Sequence, residues 1–173
     1  MTIQRQRHYN EAEVKSILLA SERRTSITGQ TGHAGRRHVL ITNQDLMDRG
    51  QAFYDQSTND VPLVCAFTET PEAVRAVTEA LNSPQGQAAL QHLDGYLPMG
   101  TRVCIEARVS PFRARYSPGM EIRRTVTITS VFVLVESIWE APYHGIHIHT
   151  AFPILAFRHQ GQPAWRDHLN AWH

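Results

Sequence analysis

Residues 125–136, TVTITSVFVLVE, constrain the fold more than any other stretch of this chain. β-Branched and aromatic side chains fit a pleated, half-buried surface, and here they run long enough to specify a strand. Val126, Ile128, Phe132 and Leu134 fall on one parity, with Thr125, Thr127 and Thr129 on the other. Further strand candidates lie on either side. Leu63 to Phe67 is short and apolar, and Arg102 to Val109 alternates Val103, Ile105 and Ala107 against Arg102, Glu106 and Arg108. Ile146 to Phe157 is the last clear strand. Between these, SPFRARYSPGMEI reads as a long basic loop and APYHG as a turn.

Helical patterns come first. Val14, Ile17, Leu18 and Ser21 share a face between Asn10 and Arg24. A second helix spans about Asn43 to Gln56, with Thr42 and Asn43 as N-cap types and Leu46, Met47 and Phe53 apolar. In TETPEAVRAVTEAL, Thr70 suits a cap and Pro71 the first helical position. Ala73, Val74, Val77 and Leu81 form its buried stripe, and a further helix runs from about Gln85 to Tyr96. The polar, aromatic tail HQGQPAWRDHLNAWH reads as a short docking helix. Helices followed by strands predict an α+β domain with an antiparallel sheet. At 173 residues the chain suits one domain. Residues 1–28 read as a helical accessory segment and 29–173 as the domain proper.

Composition narrows the function classes. The formal net charge is +1, so contact with nucleic acid must be local rather than driven by bulk attraction. The N-terminus has no apolar signal core and no stretch approaches the length that spans a bilayer, so export is expected by a route without a cleaved signal. Cys65 and Cys104 sit in apolar runs and read as buried free thiols, with a cross-strand disulfide as the alternative. Ten histidines are many for this length, and imidazole titrates near neutral pH.

The densest chemistry lies in TGHAGRRHVLITNQDLMDRG, residues 31–50. His33, Arg36, Arg37 and His38 fall in a Gly-punctuated loop, and Arg49 follows His38 on the next helix. Imidazole beside guanidinium suits proton transfer next to a developing phosphoryl charge. The second cluster is GIHIHTAFPI, residues 145–154. Period-two alternation puts Ile146, Ile148, Thr150, Phe152 and Ile154 on one face and His147, His149 and Ala151 on the other, unless a bulge intervenes near Pro153.

Taken in order, Gly32-His33, Arg37-His38-Val39, Arg49, FTETPEAVRAVTEAL and Thr150-Ala151-Phe152-Pro153 resemble the bacterial RNase A-like toxin domain. That domain occurs at the C-termini of contact-dependent growth inhibition proteins and related polymorphic toxins. The match runs from about Gly29 to Phe157. The resemblance implies a kidney-shaped α+β fold and metal-independent RNA cleavage, with no cofactor. It also implies delivery into the cytoplasm of target bacteria and a cognate immunity protein that blocks the cleft. Carried over residue by residue, the catalytic positions fall on His38, Arg49 and Thr150. The fourth position is usually Tyr and is Phe152 here, a ring that stacks on a base but donates no hydrogen bond.

On that reading His38 exchanges a proton with the ribose 2′-hydroxyl and Arg49 holds the non-bridging oxygens. Thr150 donates to phosphate or a base edge. Phe152, His33, Arg37 and His149 contact substrate. A second acid/base is needed, for which His33 and His149 are the available imidazoles. Two rival classes stand beside this one. His147 and His149, with His144 or His159, are a candidate metal-ligand set, and a non-catalytic RNA- or protein-binding module is the other.

Overall fold

The computed structural model describes residues 8–26, 29–56, 64–93, 100–117, 123–138, 145–154, 158–159 and 162–163. Helix α1 (Glu11–Arg23) opens on a capping box in which Asn10 and Glu13 satisfy each other's backbone N–H. Its Val14 and Ile17, with Tyr9 just before it, enter the same apolar core as the sheet. The Asn82 side chain fixes Tyr9 at both ends, accepting from its N–H at 2.8 Å and donating to its C=O at 2.7 Å.

The segment expected as a loop around His33 to His38 is instead a single helical turn and a half, α2 (Ala34–His38). No N-cap side chain serves it. The Glu22 carboxylate, projecting from α1, accepts from the Gly35 and Arg36 N–H groups, filling the role that a local Ser or Asp cap plays elsewhere. Helix α3 (Asn43–Gln56) starts as its sequence predicts. Asp45 N–H donates to Thr42 Oγ1 at 3.1 Å, and Thr42 N–H donates back to the Asp45 carboxylate at 3.3 Å. Leu46 then packs with Ile41 and with Ala66.

Strand β1 (Val64–Phe67) leads into α4 (Thr70–Asn82), α5 (Pro84–Leu93), β2 (Arg102–Ser117), β3 (Arg123–Ser137) and β4 (Ile146–Pro153). The cap of α4 is Glu69, so Thr70 already lies in the helix. Strands β1-β2-β3-β4 form one antiparallel sheet in that order. A separate small pair joins β5 (Arg158–His159) to β6 (Gln162–Pro163), where a docking helix was expected. The rest of that tail, and the APYHG turn before Gly145, lie outside the described residues. The expected α+β order of helices, then antiparallel strands, is found.

The basic stretch SPFRARY is not a loop. It continues β2 past an irregularity, where pairing jumps from Arg108↔Ser130 to Phe112↔Ile128. Both strands change faces there. Ile105, Ala107 and Val109 reach the core before it and Phe112 and Ala114 after it; β3 switches between Ile128 and Val131. Phe132 and Leu134 therefore do not share a face with Val126 and Ile128, and pack instead with Phe152 and Ile154. Helix α4 satisfies the irregular backbone: Ser110 N–H donates to Glu79 at 2.6 Å and Arg75 donates to the Pro111 carbonyl at 3.1 Å. Bending there also lets β1 and β4, at opposite edges of the sheet, approach each other. Neither cysteine is in a disulfide; Cys65 is buried, whereas Cys104 is exposed rather than buried.

Candidate active site

His38 is the last residue of α2 and is buried, held between β1 and β4. Its Nδ1 lies 3.5 Å from the Cys65 carbonyl oxygen. A carbonyl only accepts, so this contact favours the tautomer with the proton on Nδ1 and the lone pair on Nε2. The ring sits 5.8 Å from the His33 ring and 5.3 Å from the Phe152 ring, centroid to centroid. Three of the residues singled out from sequence thus meet in one place.

Backbone contacts fix His33. Its N–H donates to the His149 carbonyl at 2.8 Å, and the preceding Gly32 N–H donates to the Ser21 carbonyl at 2.8 Å. Ser21 Oγ also accepts from Ile148 N–H at 3.0 Å. One serine at the end of α1 therefore joins the His33 loop to β4. Gly32 is required by proximity, since a Cβ there would lie 2.5 Å from the Ile148 oxygen.

Strand β4 departs from simple alternation at His149. Val135 pairs with Ile148 and Leu134 with Thr150, leaving His149 as the extra residue of a β-bulge. Ile146, Ile148 and Ala151 face the core, while His147, Thr150 and Phe152 lie opposite Glu136, Leu134 and Phe132 on the other face. Thr150 and Phe152 do share a face, as expected, but not with Ile146 and Ile148. Nor does His149 lie on the face opposite Thr150 and Phe152, where simple alternation places it, since the bulge puts its ring on the Glu136 side. Thr150 Oγ1 is buried and has no hydrogen-bond partner among the described residues. Phe152 is half-buried and stacks on Phe132 at 4.8 Å.

His149 has a commitment of its own. Its Nε2–H donates to Glu136, which is fully buried and also paired with Arg102 Nε at 3.2 Å. Burial pushes the His149 imidazole below its usual range, against the opposing pull of Glu136. Arg49 lies on α3, half-buried, with Nη1 shielded from solvent. The hydrogen bonds of Thr42, and then the charge of Arg49, hold the exposed Asp45 carboxyl below its usual value. The backbone of Arg37 is in α2, and its side chain lies outside the described residues, as do those of His144 and His159.

Glu136 and Arg102 went unnoticed in sequence because nothing in an alternating strand marks a carboxylate as internal. Among the described residues, no group of three or more His, Cys, Asp or Glu side chains is arranged to hold a metal ion. No helix among them is long and apolar enough to cross a membrane. No family model matches the chain and no curated protein matches it. Among solved structures, the chain is similar to one in the crystal structure of a CdiA-CT/CdiI complex from Y. kristensenii 33638, with a TM-score of 0.49 and 21% identity. The similarity covers 72% of this chain and 100% of that one.

Proposed function

We propose that this chain is a metal-independent ribonuclease domain of the RNase A-like toxin type, delivered into bacterial cells and restrained by a cognate immunity protein. The observation that carries the reading is the meeting of His38, His33 and Phe152, with the solvent-shielded Thr150 hydroxyl on the same sheet face as Phe152. His38 Nε2 takes the proton of the ribose 2′-hydroxyl as its oxygen attacks phosphorus. Arg49 stabilises the charge gathering on the non-bridging oxygens, where a planar fork of donors suits two oxygens at once. Thr150 donates to the phosphate, and the half-buried Phe152 ring stacks on a base. The departing 5′-oxygen needs a proton. His33, beside His38, is better placed to give it than His149, whose Nε2–H is engaged by Glu136.

The test is incubation of the purified chain with total RNA in excess chelator, with the products resolved on a gel. Cleavage leaving 2′,3′-cyclic phosphate ends is expected, and a folded His38→Ala variant should lose ~10²–10⁴ in rate. Absence of cleavage, cleavage that requires a divalent ion, or near-normal rates in the variant would reject the reading.

A further inference from the structure

We propose that Glu136 is a positioning residue, which through His149 holds the β-bulge that turns Thr150 and Phe152 into the site and anchors His33. The inference rests on the ribonuclease reading for its kinetic consequence, but not for its geometry.

A carboxylate fully removed from solvent must be paired and hydrogen-bonded, and an apolar residue of similar size is often no worse for stability. Position 136 lies in a strand whose neighbours Val133, Leu134 and Val135 are all aliphatic, so a leucine would extend the pattern. The chain keeps an acid there and spends Arg102 on it, whose Nη2 is in turn held by Gln30 at 3.0 Å. The group that Glu136 grips on the other side is the bulge residue itself.

Without the bulge, strict alternation would send Thr150 to the core side with Ile146 and Ile148. With it, His147, Thr150 and Phe152 line up opposite Glu136, Leu134 and Phe132. The extra residue also presents its carbonyl to His33 N–H, a direct backbone bond between β4 and the loop entering α2. Fixing the His149 side chain therefore fixes two things: the facing of Thr150 and Phe152, and the seat of the His33–His38 segment. Bulges beside sites commonly re-aim side chains in this way. The charged and titratable groups gathered at this point are Arg102 from β2, Glu136 from β3, and His147 and His149 from β4.

The experiment uses the full chain and three variants: Glu136→Leu, Glu136→Gln and His149→Ala. Hydrogen exchange of the His33 amide reports the anchor directly, and amides of α4 such as Val77 report global stability. In Glu136→Leu the His33 amide should exchange about tenfold faster or more while Val77 keeps its protection. Turnover of RNA should fall about 100-fold in kcat as Thr150 and His33 are misplaced, and KM should rise as Phe152 leaves its place against the base. Glu136→Gln should retain most of both properties, because its side-chain oxygen still accepts from His149. If Glu136→Leu does not fold, His149→Ala leaves Glu136 with Arg102 and reads the same amide. Unchanged His33 exchange in a folded Glu136→Leu or His149→Ala protein overturns the proposal. A wild-type chain that cleaves no RNA defeats the ribonuclease reading, and the exchange measurement then decides the positioning role alone.

Discussion

His147 is 2% exposed, and its Nε2 has no hydrogen-bond partner among the described residues. Burial is the main reason its pKa falls to about 4, and the neighbouring His149, 4.7 Å away between ring centroids, pushes the same way. The folded chain therefore resists protonation at a site that the unfolded chain protonates near 6.5. Stability from this group is fully present above about pH 6.5 and is lost as pH falls toward about 4. The loss runs at up to ~1.4 kcal/mol per pH unit, and His149, also depressed, adds in the same direction. Urea midpoints measured from pH 7.5 downward should fall through this window, and His147→Leu should flatten the fall. A variant with the wild-type slope would show that His147 does not titrate with unfolding. None of this was legible in the sequence, where HIH on a strand offered a pair of metal ligands only as a rival class. A histidine's partner is decided by what the next strand presents, and Glu136 is the residue that decides it for His149.

At the scale of elements, close approach matters more than propensity. The His33 loop reaches β4 only because Gly32 lets the chain pass beside Ser21 and Ile148. An alanine Cβ would lie 2.5 Å from the Ile148 oxygen and 3.0 Å from the Ser21 carbonyl carbon. Both obstacles are backbone, so neither can swing aside. Gly32→Ala should cost ~1–3 kcal/mol by strain and should loosen the His33 anchor. Thermal unfolding checks the first effect, and exchange of the His33 and Ile148 amides checks the second. Wild-type values for both would mean that the loop accommodates the methyl freely. The elements legible in sequence were those written locally: the face of α1, the Thr42 cap, the stripe of α4 and the strand core of β3. Those misread depend on distant partners. SPFRARY looked like a loop because Ser110 and Pro111 open it and Ser117 follows it. In the fold, Glu79 and Arg75 of α4 take up the backbone groups that its broken ladder leaves over. The turn from Ala34 to His38 looked like a loop because its cap is Glu22, on another helix.

At the scale of the whole molecule, the proposed site draws residues from α2, α3 and β4, and the helical link between α2 and α3 must be held against the sheet. Arg115 of β2 does this. Its Nη2 donates to the Val39 and Ile41 carbonyls at 3.2 and 2.9 Å, and its Nη1 donates to Asn43 Oδ1 at 2.7 Å. Those acceptors span the link between α2, which ends at His38, and α3, which carries Arg49. Burial lowers the pKa of this guanidinium, yet from a starting value far above neutrality, so it stays charged. In the sequence it was one arginine in a supposed basic loop. The fold makes it a fastener. A lysine offers one ammonium in place of a planar fork and cannot reach the same spread of acceptors. Arg115→Lys should therefore cost ~1–3 kcal/mol of stability through buried carbonyls left without a donor. It should also lower RNA turnover beyond what lost stability explains, since His38 and Arg49 would drift relative to Thr150. The two measurements are unfolding midpoint and cleavage rate at a temperature where the variant is fully folded. A destabilised variant with an unchanged rate would mean that the α2–α3 link finds its place against β4 without Arg115. An unaffected midpoint would mean that the three hydrogen bonds are surface contacts of no net worth.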